Sequence, residues 1–463
     1  MEAHAMKSIT QDNHQTKCLS AKSMRFFQQY RIAKILHAAN ANKIKGIPAM
    51  QIFLLAVSIV FQHKSLYMQM NLHPDMLPFG KDTFYRFMNS CHTNWRKFTT
   101  LLSFSIIRHS IEPLTDEKRR NVLIIDDSIF SRSRSKKVEL LAKVFDHAHG
   151  LYTFGFRMLT LGWSDGNTFL PVSHCLLSTA NQKNRINEAS AKVDPRTNGG
   201  RQRKLAQLKA TDVVLKLLKE TKAAGISAQH VLFDTWFCAP ASLTAIKDIG
   251  FDVIAMAKKT SKMHYRYQGK MQDVKAIYQQ NTKRRGRAKY LLSVEAEAVK
   301  DGKAIPVRFV YVHNRNRRKD YLVLVTTDMS LGEEEVISLY GRRWGIEVFF
   351  KICKSYLHLS KDCRSISYDA MTAHVAVVFT RYMLLAVEQR ESQDLRSIGE
   401  LFYLTIDELP DLQFLDALHL VLLQFAELVQ KNCLLSEQAV QLMLDSFLQE
   451  LPSLWAESLP KCS

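Results

Sequence analysis

The chain has 463 residues, 46% of them hydrophobic, with 64 Lys and Arg against 44 Asp and Glu, a formal charge of +20. That length and apolar content suit a globular protein of about two to four domains, and the clustered positive excess points to a polyanionic partner, nucleic acid first. The eight cysteines include no C-x-x-C pair, which excludes a zinc ribbon and reads as reduced thiols in a cytoplasmic protein rather than a disulfide framework.

The N-terminus, with His4, Lys7 and Asp12, has no run resembling a signal peptide. Residues 1–115 read as helical. The spacing predicts helices over 23–39, 50–61 and about 94–109, and the second is a buried helix too short and too interrupted by Gln51 to span a bilayer. Between them, Gly80 leads into a short helix carrying Lys81, Thr83, Tyr85 and Arg86. This suits either a helix-turn-helix recognition element or an ordinary bundle.

Residues 121–130 form a continuous apolar run expected to be a buried strand ending in Asp126-Asp127. Basic residues Arg132, Arg134, Lys136 and Lys137 follow. Residues 152–163 and 168–177 read as two strands joined at Ser164-Asp165-Gly166-Asn167. Residues 180–204 are polar and basic and are expected to be a mobile loop. A helix over 206–224 leads to a second buried strand, 229–233, ending at Asp234. A helix (239–249) and a strand (251–257) come next. From 259 to 328 the pattern becomes strand-rich, with basic runs 283–287 and 315–319 at turns, either solvated or set to reach phosphates.

A single helix is expected from about Gly332, whose followers Glu333, Glu334 and Glu335 suit a helix N-terminus. It would carry Tyr340, Arg343, Glu347, Lys351 and Lys354 at offsets of 0, 3, 7, 11 and 14. At about 100° per residue these share one stripe. One acid, three bases and a phenol on one stripe read as the wall of a phosphate-handling site, with Glu347 able to hold a hard cation. Trp344 is either a base-stacking residue or core. Residues 370–389 are another apolar helix, and residues 391–463 read as leucine-rich, acidic helices suited to packing or self-association.

Three strands, then alternating helices and strands, then a helix with a carboxylate is the order of an RNase H-like fold. Its sheet would bring Asp126 or Asp127 beside Asp234, and the helix would add Glu347. Three carboxylates together call for cations, and Mg²⁺ takes oxygen ligands while keeping waters. The stretch Asp146-His147-Ala148-His149 reads as surface or structural, and His174 and His313 as ordinary strand residues.

The spacing Y-(2)-R-(3)-E-(6)-K at Tyr340, Arg343, Glu347 and Lys354 resembles the signature of the DDE transposases of bacterial insertion sequences, in the family named insertion sequence 4. Trp344 and Lys351 also resemble family positions, and residues 123–128 and 232–236 resemble the strands bearing the family's two aspartates. The resemblance runs from about 120 to 380. The family usually has one acid before a Thr or Ser on the first strand. That favours Asp127, which precedes Ser128, with Asp126 kept beside it. The resemblance implies an α/β protein laid out as follows: a DNA-binding helical region (1–115), an RNase H-like core (116–258 and 329–390), a β-rich insertion (259–328) and a helical C-terminal region (391–463). It also implies two Mg²⁺ ions (Mn²⁺ substituting) held by Asp127 or Asp126, Asp234 and Glu347, with Tyr340, Arg343, Trp344, Lys351 and Lys354 on DNA. Double-stranded DNA, both element ends and target, is the implied partner, in a homodimeric complex away from membranes. The alternatives are another RNase H-like nuclease and a domesticated, non-catalytic DNA-binding protein.

Overall fold

The computed structural model describes residues 23–43, 45–62, 79–115, 119–146, 150–284, 288–314, 317, 320–361, 363–391, 439 and 446. The expected C-terminal helices beyond 391, His147 and His149, and most of the two basic turns lie outside the described residues.

A mixed sheet of eleven strands organises the protein. Its strands are β1 (Val122–Ser131), β2 (Ala142–Asp146), β3 (Leu151–Ser164), β4 (Phe169–Leu177), β5 (His230–Phe233), β6 (Asp252–Met256), β7 (Tyr265–Tyr267), β8 (Lys270–Gln272), β9 (Leu292–Lys300), β10 (Lys303–His313) and β11 (Tyr321–Thr326). They run in the order β2-β3-β1-β5-β6-β11-β10-β9-β7-β8, with β4 also on β3. β1, β5 and β6 are parallel neighbours at the centre. Val122, Leu123, Ile124 and Ile125 are buried, as a strand covered on both faces requires.

The strand-rich stretch after 258 continues this sheet. Leu324, Val325 and Thr326 of β11 pair with Met256, Ala255 and Ile254 of β6. β1 also runs on past its acids. Asp126 and Asp127 are its fifth and sixth residues, because β3 pairs with it as far as Ser131 opposite Gly155.

The described N-terminal helices are α1 (23–29), α2 (Ile32–Ala38), α3 (Ala49–Ser58), α4 (Lys81–Met88) and α5 (Trp95–Ile106). The expected single helix over 23–39 is interrupted at Arg31, which adopts a left-handed φ of 50°. α5 is capped by the Asn94 side chain, which accepts from Lys97 N at 3.0 Å. It packs on β4, where Thr100 and Ser103 hydroxyls donate to the Val172 and Pro171 carbonyls.

The polar segment 180–204 is fixed rather than loose. It contains α6 (Asn198–Leu205), whose Arg203 is buried against Glu139 and Asp369. α7 (Ala210–Ala223), α8 (Pro240–Ile249) and α9 (Val274–Gln280) follow. The expected continuous helix from 332 is two: α10 (Glu333–Gly341) and α11 (Trp344–Ser355). Arg342 and Arg343 form a tightened junction, with Gly345 N bonding back to Arg342 O and Ile346 N to Arg343 O.

α12 (Tyr368–Glu391) is long and apolar enough to cross a membrane, but its apolar window is buried inside the protein, as a core helix. Its Arg381 donates to the carbonyls of Val57, Ala56 and Leu357, tying the N-terminal helices to the core. The five described cysteines are all free.

His174 on β4 is fully buried, edge-on to Phe379 of α12 at 5.1 Å. Burial, with Arg96 adding to it, pushes its pKa down to about 3. The folded protein therefore holds it neutral while the unfolded chain protonates it below about pH 6.5, so stability falls as pH drops through that window. The stability difference between wild type and His174→Phe is expected to change by about 2 kcal/mol between pH 7 and pH 5, read from urea midpoints at each pH.

Candidate active site

α11 buries Ile346, Phe349, Phe350 and Cys353, the i, i+3, i+4, i+7 positions of one face. Phe349 packs on Phe169 of β4 at 5.1 Å and on Tyr382 of α12 at 4.8 Å. Gly162 makes room for this contact, since a Cβ there would lie 2.1 Å from the Phe169 ring. With that face committed to the core, Glu347 is left half-buried beside β1 and Lys351 is exposed.

Alternation along β1 separates its two acids. Asp126 faces the α10–α11 junction, where its Oδ2 accepts from Arg343 Nη1 at 3.3 Å. The same guanidinium donates through Nη2 to Glu347 Oε1. Asp127 instead takes both nitrogens of Arg157, at 2.8 and 2.6 Å. Arg157 is opposite Ile129 and so shares Asp127's face. Asp234 follows β5 directly. Val122, Leu123 and Ile124 pair with His230, Val231 and Leu232, and two residues further along the same register stand Asp126 and Asp234.

Burial, then the negative charge of Asp234, raises the Asp126 pKa to about 7, against the lowering effects of the Asp127 N–H and Arg343. Tyr340 lies beside Arg343, its ring 5.9 Å from the guanidinium carbon. Burial pushes its pKa up to about 12, which keeps the phenol neutral. Burial lowers the Lys354 pKa, partly offset by the charge of Asp146. Trp344 is 64% exposed and therefore not core.

Three residues near the acids were not singled out from sequence. Trp236, 55% exposed, has Arg157 at 5.1 Å and Lys258 at 5.9 Å from its ring. Its backbone N–H donates to Asp234 Oδ1 at 2.9 Å, which fixes the turn after β5. Its position two residues past a strand-end acid was the available signal. Arg157 gave none, because its role depends on strand pairing.

A family model for the DDE superfamily endonucleases matches residues 38–314. The chain belongs to this family. No curated protein matches it. For a DDE endonuclease the substrate class is DNA and the reaction is metal-dependent strand cleavage, and the α/β architecture with its large mixed sheet accords with an RNase H-like nuclease fold. The matched residues include Asp126, Asp127 and Asp234 and end before Glu347.

The donors suit a hard cation, being carboxylate oxygens only. Among the described residues, no three His, Cys, Asp or Glu side chains converge as a ready-made cage. The positive charge between Asp126 and Glu347 is that of Arg343. A cation held by both acids would displace this guanidinium from them.

Proposed function

We propose that this endonuclease is a cut-and-paste transposase of the insertion sequence 4 type. The observation that carries the reading is Arg343 bridging Asp126 of β1 and Glu347 of α11, with Asp234 next along the β1–β5 register. Asp126, Asp234 and Glu347 would hold two Mg²⁺, with Mn²⁺ able to substitute. When bound, these ions activate the attacking oxygen and stabilise the leaving oxygen of an in-line phosphoryl displacement.

The surrounding side chains supply the grip on DNA. Arg343 exchanges its carboxylate partners for a phosphate, which its planar fork matches. Tyr340 donates from a phenol that stays protonated. Lys351 and Lys354 add charge along α11. Trp344 offers an exposed ring to a base at the cleaved end. Cleavage by water frees a 3′-OH, which attacks target DNA. The N-terminal helices are the reading's DNA-end-binding region, supported by Lys81, Tyr85 and Arg86 exposed on α4. The β7–β11 strands are its insertion, residues 391–463 its self-association region, and a cytoplasmic homodimer on DNA its working form.

Plasmid excision and oligonucleotide strand transfer test this directly. Glu347→Ala is expected to abolish both with DNA binding retained. Undiminished strand cleavage by that variant would sink the assignment, and cleavage by wild type without strand transfer would favour a plain nuclease.

A further inference from the structure

β3 is longer than its partner β1. Its residues 151–154 extend beyond Ser131, the last residue of β1, and pair with β2, forming a ribbon at the sheet's edge. Lys143 stands opposite Phe154 and Phe145 opposite Tyr152, so these four share one face. That face is unusual for a ribbon next to solvent. Phe145 is 37%, Tyr152 62% and Phe154 39% exposed. The Phe145 and Tyr152 rings meet edge-on at 5.1 Å, and Lys143 Nζ lies 4.9 Å from the Tyr152 ring centre. Contiguous exposed aromatics of this kind mark a binding surface.

Three observations select its occupant. By alternation along β3, Tyr152 and Phe154 are on the face of Thr160, which is opposite Asp126; the ledge and the acids thus look out from one side of the sheet. Six residues of strand separate Phe154 from Thr160, roughly 20 Å, the rise of about six base pairs of DNA. Among the described residues, the charge on the ledge face is that of Lys143, and the root of the ribbon meets the chain just before the exposed Arg364, through Arg132, which donates its N–H to Phe154 O and its guanidinium to Cys363 O. Rings with a cation and no carboxylate suit nucleobases beside a phosphate.

We propose that the β2–β3 ribbon is a stacking platform for bases of opened DNA about half a helical turn from the cleaved phosphodiester. This rests on the reading of the acids as the cleavage site. Stacking forms no covalent bond. It holds DNA whose bases are accessible in preference to closed duplex.

The test uses the full chain carrying Glu347→Gln, so that DNA stays intact. Fluorescence anisotropy compares a closed duplex with the same duplex carrying a short single-stranded gap, with 2-aminopurine in the gap reporting stacking. The unsubstituted ribbon is expected to prefer gapped DNA and to quench the probe. Tyr152→Ala and Phe154→Ala should each weaken gapped-DNA binding about tenfold with duplex affinity unchanged, and Tyr152→Phe should restore it. Lys143→Ala should weaken both and reduce the salt slope by about one. Equal binding of gapped DNA by the alanine variants and the unsubstituted ribbon overturns the proposal. So does a change of oligomeric state on sedimentation without a change in DNA affinity, which would make the ribbon a contact between copies. Failure of the parent protein to bind either DNA would overturn the transposase reading itself, and the proposal with it.

Discussion

Asp126→Asn is expected to lower single-turnover strand cleavage by about 10³-fold or more, the equivalent of roughly 4 kcal/mol of transition-state stabilisation, whereas Asp127→Asn costs about tenfold. The two substitutions are chemically the same and one residue apart, so only side-chain direction distinguishes them. Asp126 shares Arg343 with Glu347 and stands level with Asp234. Asp127 is held by two hydrogen bonds from Arg157 on its own face of the sheet. Family resemblance leans the other way, to the acid before Ser128. The measurement is cleavage of an end-labelled duplex in Mg²⁺ for both variants, with Mn²⁺ binding followed by electron paramagnetic resonance. A dead Asp127→Asn beside an active Asp126→Asn would show that Asp127 turns inward when DNA and metal bind, and would overturn the assignment of Asp126. The loss expected for Asp127→Asn has its own cause: Arg157 would no longer be held over the Trp236 ring beside Asp234.

What could be read without coordinates was local. Runs such as 122–125 announce buried strands, because a strand covered on both faces needs unbroken apolar residues. The stripe of Tyr340, Arg343 and Glu347 announces a functional wall, since core helices do not carry such residues in register. What was not legible depends on partners distant in the chain. Nothing near Leu324 says that it will pair with Met256, so the way β7–β11 extend the central sheet was not visible beforehand. β2 is only five residues long and follows a basic stretch, and no strand was expected there. The break at Arg342–Arg343 lies in a sequence with no proline, and is set by the packing of α10 and α11 on different neighbours. Segment 180–204 read as loose because it is polar, yet its polar groups are the ones that fix it.

That segment gives the second large effect. Arg203→Ala is expected to destabilise the protein by about 3–5 kcal/mol, because it strands two buried carboxylates. Arg203 bonds Glu139 at 2.5 and 2.9 Å and Asp369 at 2.9 and 2.7 Å, and all three residues are under a tenth exposed. The trio joins the β1–β2 connection, α6 and the first turn of α12. Lysine is a poor substitute, since one ammonium cannot serve two carboxylates in a planar fork. Burial alone would raise the Glu139 pKa, but Arg203 and the N–H groups of Tyr368 and Ser190 lower it overall. The sign of the pH effect follows. With a depressed folded pKa, Glu139 stabilises the wild type above its unfolded value near 4.5, and this is lost as pH falls through the lower folded value. In Arg203→Ala the buried Glu139 carboxyl loses that partner and gains from protonation instead. The stability gap is therefore widest near neutrality and narrows below about pH 5, as urea denaturation across that range would register. A gap independent of pH would mean that Arg203 acts through its packing rather than its charge. Gly199→Ala should mimic part of the loss, since its Cβ would come within 2.4 Å of Asp369 Oδ1 and 2.9 Å of Arg203 Nη1. Because α12 backs Phe349 of α11 through Phe379 and Tyr382, loosening its first turn should also lower cleavage in a protein whose acids are all intact.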